Sequence, residues 1–230
     1  MRTYGSDQTA TRALDGVDLD IARADSLAVM GPSGCGKTTL LHVLAGILAP
    51  TSGTVRLDGE ALAELGDRRR TLLRRSEFGF VFQDGQLLPE LTAVENVILP
   101  RMLGGTSRRA ATAEATAWLD RLGRQGMHAR RPGQLSGGQA QRVAIARALA
   151  GAPSVVFADE PTGALDQTTG QAVLDVLAQA CHRTGASLVM VTHDASVAAV
   201  CSRTVAMRDG RIEQEFRRPQ QARPQAGGAR

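Results

Sequence analysis

The stretch Gly31–Thr39, GPSGCGKTT, constrains the fold of this 230-residue chain more than any other. It fits G-x-x-x-x-G-K-[ST], a loop that cradles phosphates and needs a strand before it and a helix after it. Leu27–Met30 (LAVM) is a short apolar run of the kind expected for a buried parallel strand, and Thr39–Ala45 (TLLHVLA) continues as a helix. The glycines let the backbone turn sharply and aim successive N–H groups at a phosphate, and the helix N-terminus adds the positive end of its dipole. Gly31, Pro32, Ser33, Gly34, Cys35, Gly36, Lys37, Thr38 and Thr39 are therefore candidate nucleotide contacts. Lys37 supplies a point charge for the β- and γ-phosphates, and Thr38 supplies a hydroxyl for Mg²⁺.

Two further apolar runs end in residues suited to the same chemistry. Val155–Ala158 (VVFA) leads directly into Asp159 and Glu160. Carboxylates at the carboxyl end of a parallel strand lie where open α/β sheets bind ligands. Asp159 is the candidate Mg²⁺ ligand, and Glu160 the candidate general base that activates water. Ser187–Val191 (SLVMV) ends at Thr192 and His193, where an imidazole would reach a γ-phosphate if its strand lies beside the phosphate loop. Phe78–Phe82 (FGFVF) likewise ends at Gln83, which taken alone is nearly uninformative.

Leu135–Gln139 reads LSGGQ. Ser136 with Gln139 fits a helix capping box, and Ala140–Ala150 is strongly helical with an apolar stripe through Val143, Ala146 and Leu149. Capping alone explains Ser136 and Gln139. It does not explain Gly137 and Gly138 in the first turn, where each glycine costs about 1 kcal/mol relative to alanine. A backbone that approaches a ligand closely does explain them, so a second helix N-terminus is expected to face a phosphate.

With these elements in hand, the chain resembles the ATP-binding subunits of ABC transporters over roughly residues 4–216. GPSGCGKTT looks like their Walker A loop, Gln83 their Q-loop glutamine, LSGGQ their signature motif and VVFADEP their Walker B. Gly163–Asp166 (GALD) looks like their D-loop and His193 their switch histidine, all in the family's order. FQDGQLLPELTAVENVILP (82–100) and RPGQLSGGQAQRVAIARALA (131–150) look most like the macrolide-export and lipoprotein-release branch. The resemblance implies a P-loop (RecA-like) α/β core with a parallel sheet, a small antiparallel β subdomain and an inserted α-helical subdomain. It implies a head-to-tail homodimer, or pairing with another such subunit, around two ATP. Lys37, Thr38, Gln83, Asp159, Glu160 and His193 then act from one subunit, with Ser136, Gly137, Gly138 and Gln139 from the other. Gln83 joins Thr38 and Asp159 around Mg²⁺, Tyr4 stacks on adenine, and Asp166 couples the two sites. The implied partner is an integral-membrane permease, which places the chain in the cytoplasm, peripheral on the inner face of the cell membrane. The branch implies export or extraction of a hydrophobic or peptidic substrate. Ala24-Asp25 stands where the family usually has Gly-Glu, and Cys35 where it has a small serine. A thiol beside Lys37 at a helix N-terminus is expected to be acidic and reactive. The chain begins three residues before Tyr4, so the first strand is expected to be short or missing.

At this length the chain reads as one domain over 1–216, a catalytic core at 1–83 and 152–216 with a helical lobe at 84–151. Leu91–Leu99 and Ala110–Leu122 carry apolar positions at helical spacing. Leu87, Leu88 and Pro89, apolar without an obvious core role, suggest a permease-docking surface at Gln86–Leu91. No apolar run approaches the length of a membrane helix. Cys35, Cys181 and Cys201 have no paired spacing, so neither a disulfide framework nor a zinc site is indicated, and no metal other than Mg²⁺ is expected. The net charge of +4 is concentrated in Arg68–Arg75 and in residues 217–230, which read as a disordered basic tail. The alternative class is a soluble ABC ATPase acting on nucleic acid or ribosomes. Such proteins generally carry tandem cassettes or coiled-coil insertions; this chain has one cassette and no heptad run, and 3% aromatic residues leave few stacking platforms. Nucleic acid is therefore not an expected partner.

Overall fold

The structure, a computed structural model, describes residues 1–5, 10–123 and 125–218. In chain order the elements are β1 (Arg2–Tyr4), β2 (Thr11–Leu14), β3 (Ser26–Met30), α1 (Lys37–Leu44), β4 (Arg56–Leu57), β5 (Glu60–Ala61), α2 (Asp67–Glu77) and β6 (Phe78–Phe82). Then come α3 (Ala93–Leu103), α4 (Arg108–Arg121), α5 (Gly137–Leu149), β7 (Val155–Asp159), α6 (Gln167–Thr184), β8 (Ser187–Thr192), α7 (Ala195–Ala198), β9 (Arg203–Arg208) and β10 (Arg211–Arg217).

The main sheet has six strands in the order β10-β9-β3-β8-β7-β6. Five are parallel, and β10 returns antiparallel to β9 at one edge, so the sheet is mixed rather than purely parallel. A turn at Asp209 and Gly210, both in the left-handed conformation, makes that hairpin. The antiparallel pairs β1-β2 and β4-β5 stand apart from this sheet.

The strands alternate between two apolar clusters, as the period of two requires. Leu27 and Val29 of β3 face α1 with its buried Leu40 and Leu41, and Val189 and Val191 of β8 join them. Ala28, Leu188 and Met190 face the opposite side, with Val156 and Ala158 of β7 and the helices α3–α6. Leu27, Ile145, Leu149, Leu177 and Leu188 have under 2% of their surface exposed, each worth about 1.5–3 kcal/mol of burial.

Helix α5 begins at Ser136, whose hydroxyl accepts from the Gln139 N–H while the Gln139 side chain accepts from the Ser136 N–H. Its predicted stripe is buried in full: Val143, Ala146 and Leu149 all have 0% exposure. A second reciprocal cap joins Thr92 and Glu95 at the start of α3. Helix α3 continues past the apolar positions read over Leu91–Leu99, through Pro100 to Leu103. Packing against α4 and the ion pair Arg101–Glu114 hold that last turn.

One helix was not foreseen, and two sequence expectations need correction. The Arg68–Arg75 charge cluster lies on a helix, α2, that buries none of its residues, so neither apolar periodicity nor burial announced it. Leu87 does have a core role, packing partly buried against the α3–α6 cluster, whereas Leu88 is exposed. The tail does not begin at 217: Arg217 pairs with Arg203 as the last residue of β10, and the Arg218 N–H donates to Ser202 O. The rest of the tail assignment, 219–230, lies outside the described residues.

Candidate functional site

Parallel register brings the candidate residues together. Met30 pairs with Thr192, Val191 with Asp159, and Asp159 with Phe82, so β3, β8, β7 and β6 end at one level. The residues that leave those ends are Gly31, His193, Glu160 and Gln83. Four chemistries predicted from separate motifs thus converge at the carboxyl edge of the sheet, the place where such sheets bind ligands.

The phosphate loop is held from below. Gly36 caps α1 at φ 103°, and a Cβ there would lie 2.2 Å from Ala13 O of the neighbouring β2. Only glycine fits that approach. Lys37 is 7% exposed, and its ammonium donates to Gly31 O at 2.7 Å and Pro32 O at 2.9 Å. The charge is therefore folded over the mouth of its own loop. Cys35 is 6% exposed and packs among Leu14, Leu40 and Leu41, so the expected accessible thiol is instead a core residue.

Thr38 Oγ1 donates to Asp159 Oδ1 at 3.3 Å, joining the helix that follows the loop to the end of β7. Burial pushes the Asp159 carboxyl above its ordinary range, against the Thr38 hydrogen bond, which favours the ionised form. A desolvated carboxylate beside a hydroxyl is an all-oxygen donor set that suits a hard divalent cation.

Glu160 has φ 45°, left-handed although it precedes Pro161, where α-type conformations are disfavoured. Its N–H donates to Val191 O on β8 at 3.0 Å, and its carbonyl accepts from Gly163 N–H at 3.0 Å, closing a turn. Its Oε1 lies 2.9 Å from His193 Nδ1. The Glu160 side chain is 21% exposed and that of His193 64%, so the carboxylate sits in and the imidazole faces out. Gln83 lies against the same turn: a methyl group on Gly163 would come within 2.8 Å of its Nε2.

The remaining predicted residues are not part of this cluster. Tyr4 lies on β1, opposite Thr11, and the Arg2 guanidinium is 4.8 Å above its ring. The expected short first strand is thus three residues that include Tyr4 itself. Asp166 caps α6, accepting from the Thr169 N–H at 3.0 Å; the Thr169 hydroxyl first, and then this N–H, lower its pKa. Ser136, Gly137, Gly138 and Gln139 form the first turn of α5, and no hydrogen bond among the described residues links them to the phosphate loop. Their glycines have close neighbours of their own, since a Cβ on Gly138 would meet Thr169 Cγ2 at 2.4 Å. Within the chain, then, the glycine-rich turn faces α6 and does not complete the phosphate site.

Gln141 and Arg147 escaped the sequence reading. Gln141 is 3% exposed and bonds to Phe82 O and Pro161 O, while Arg147 bonds to Gly85 O and Gln86 O. A polar residue inside an apolar helix was the available signal.

The profile of the ABC transporter family matches residues 14–163. The lipoprotein-releasing system ATP-binding protein LolD of Shewanella denitrificans is 45% identical over 204 residues, 89% of this chain and 88% of that protein. The macrolide export ATP-binding/permease protein MacB 1/2 of Paracoccus denitrificans is 47% identical over 211 residues, 92% of this chain but 31% of that longer protein. Among solved structures, the dimeric ATP-binding cassette MJ0796, in a post-hydrolysis state bound to ADP and Pi, superposes with a TM-score of 0.85. It is 39% identical, with 94% of this chain and 95% of that one covered.

Proposed function

The chain belongs to the ABC transporter family, as its ATPase component, and from that premise we propose that it powers a separate membrane permease by binding and hydrolysing ATP in a head-to-tail dimer. The observation that carries this reading is the Glu160–His193 pair at 2.9 Å, set by two parallel strands beside the Thr38–Asp159 contact.

Each side chain has a place in that reaction. The loop N–H groups and Lys37 bind the β- and γ-phosphates once the ammonium exchanges Gly31 O and Pro32 O for phosphate oxygens. Glu160 accepts the proton of the attacking water, and His193 orients the carboxylate and senses the γ-phosphate. Thr38, Asp159 and Gln83 are the residues that would hold Mg²⁺. The positive charge of a bound Mg²⁺ would offset the negative charge of the phosphates there.

The dimer completes the site. Ser136–Gln139 sits at a helix N-terminus where the cap uses the Ser136 and Gln139 N–H groups and leaves those of Gly137 and Gly138 to meet a phosphate, yet is unbonded to the phosphate loop of its own chain. A second copy offers the missing surface, and Tyr4 and Asp166 would serve the adenine and the coupling of the two sites. LolD and MacB relatives support export or extraction of a hydrophobic or peptidic substrate. No helix among the described residues is long and apolar enough to cross a membrane. The reading places the chain beside a permease, peripheral on the cytoplasmic face.

We take 1–83 and 152–218 as the catalytic core and 84–151 as the helical lobe. Between them lies an apolar cleft of about 430 Å³ lined by Ile47, Phe80, Leu88, Leu99, Pro100 and Leu103 and rimmed by Arg74, Arg75 and Arg147. This cleft, with Gln86–Leu91, suits a short helix of the permease. The test is recovery of tagged Glu160→Gln protein with ATP from detergent-solubilised membranes of the native cell. Co-purification of a membrane protein with a large external domain supports the reading; recovery with ribosomes, DNA or soluble protein alone overturns it.

A further inference from the structure

Helix α5 carries, one turn past its glycine-rich start, a side chain that reaches both halves of the hydrolytic site. Gln141 Nε2 donates to Phe82 O at 2.9 Å and to Pro161 O at 2.7 Å. Phe82 is the residue before Gln83, and Pro161 the residue after Glu160. A primary amide has two N–H donors, and here each has its own carbonyl. The group is buried, where neither carbonyl has water as a ready substitute, so both bonds are costly to break.

What these bonds hold is a strained segment. Glu160 keeps φ 45° ahead of a proline, a conformation that persists only when its surroundings over-determine it. On one side its N–H is fixed by Val191 O; on the other, Gln141 fixes the carbonyl of the following residue. The same helix grips the other loop further along. Arg147 donates to Gly85 O and Gln86 O at 2.7 Å each, where Gly85 and Gln86 are both left-handed. Helix α5 therefore holds the 82–86 segment at both ends and the Glu160 turn at one point.

We propose that Gln141 is a positioning residue for ATP hydrolysis, fixing Glu160 and Gln83 relative to each other and gearing both to α5. Movement at Ser136–Gln139, when that turn meets nucleotide on a partner, is then passed to the hydrolytic carboxylate of the same chain. The inference rests on the role given above to Glu160 and on the dimer reading.

The test compares Gln141→Met and Gln141→Glu in the full chain. The first matches the length without a donor; the second keeps the shape but turns the donor into an acceptor. Both are expected to bind MgATP with unchanged Kd while kcat falls on the order of 10- to 100-fold, the effect of a catalytic group displaced by about 1 Å. In a Glu160→Gln background the same substitutions are expected to add almost nothing, because residues acting as a unit are not additive. An unchanged kcat in both variants overturns the proposal, as does a loss expressed only in KM, or one that persists undiminished on the Glu160→Gln background. If Gln141→Met fails to fold, Gln141→Glu carries the comparison. Should Glu160→Gln alone hydrolyse ATP at the unmodified rate, the role of Glu160 falls instead, and the proposal falls with it for a separately visible reason.

Discussion

His193 Nδ1 lies 2.9 Å from Glu160 Oε1, although the two residues are 33 positions apart and leave different strands. The contact exists because β7 and β8 pair in parallel with Asp159 opposite Val191, which brings the residues beyond both ends to the same edge. Glutamine at 160 keeps the shape and a hydrogen bond but cannot accept a proton. Glu160→Gln is expected to retain ATP binding and to slow hydrolysis by on the order of 10²-fold or more, read as phosphate release under saturating ATP. His193→Ala is expected to lower kcat with little change in Kd, and a change confined to Kd would contradict its place beside the carboxylate.

The floor of the phosphate loop gives a second prediction. A methyl group at Gly36 would sit 2.2 Å from a backbone oxygen, at a φ of 103° that alanine avoids. Gly36→Ala is expected to lower folding stability by at least about 1–2 kcal/mol, the cost of left-handed backbone alone, and to abolish ATP binding. Denaturant unfolding and nucleotide titration measure the two effects separately.

Ala24 works in the opposite sense. It is exposed and left-handed at φ 57°, just before β3. Ala24→Gly relieves the Cβ strain at some cost in unfolded-chain entropy, and a net gain of about 0.5–1 kcal/mol is expected. That corresponds to a Tm rise of roughly 1–4 °C for a chain of this size.

The cysteines set the alkaline limit. Burial pushes the thiols of Cys181 and Cys201 up to about 12, from an ordinary value of 9.0. Their folded pKa is raised, so the stability they contribute is complete below about pH 9 and is lost as pH rises toward 12. Native protein at neutral pH is expected to leave Cys181 and Cys201 unalkylated, and Cys35 slow because it is 6% exposed; all three should label on unfolding. Cys181→Ala/Cys201→Ala protein should show a flatter loss of stability above pH 9.

Much of this architecture was legible because motif and element coincide. Phe78–Phe82, Val155–Asp159 and Ser187–Thr192 are apolar runs that end at the candidate site residues, and buried parallel strands leave that signature. The Ser136–Gln139 cap was equally readable, since both of its hydrogen bonds are local. What stayed hidden depends on tertiary contact. Helix α2 has no fully buried residue and only Leu73 half-buried against the α1 side, so no periodicity marks it; Pro100 sits inside α3, which packs against α4 and α5. The Cys35 thiol was expected to be reactive beside Lys37, but the left-handed Gly34 and Gly36 on either side turn its side chain into the core. Gln141 could not be assigned a task from sequence, because its two partners lie 59 and 20 residues away.

The central claim is that one chain holds only half of each ATP site. The most direct measurement is sedimentation of full-length Glu160→Gln protein with and without MgATP, beside the same protein carrying Ser136→Arg. A nucleotide-dependent dimer that the arginine abolishes, while each chain still binds ATP, is the result this account predicts. A monomer that binds and retains ATP, or a dimer indifferent to nucleotide and to Ser136→Arg, would contradict it.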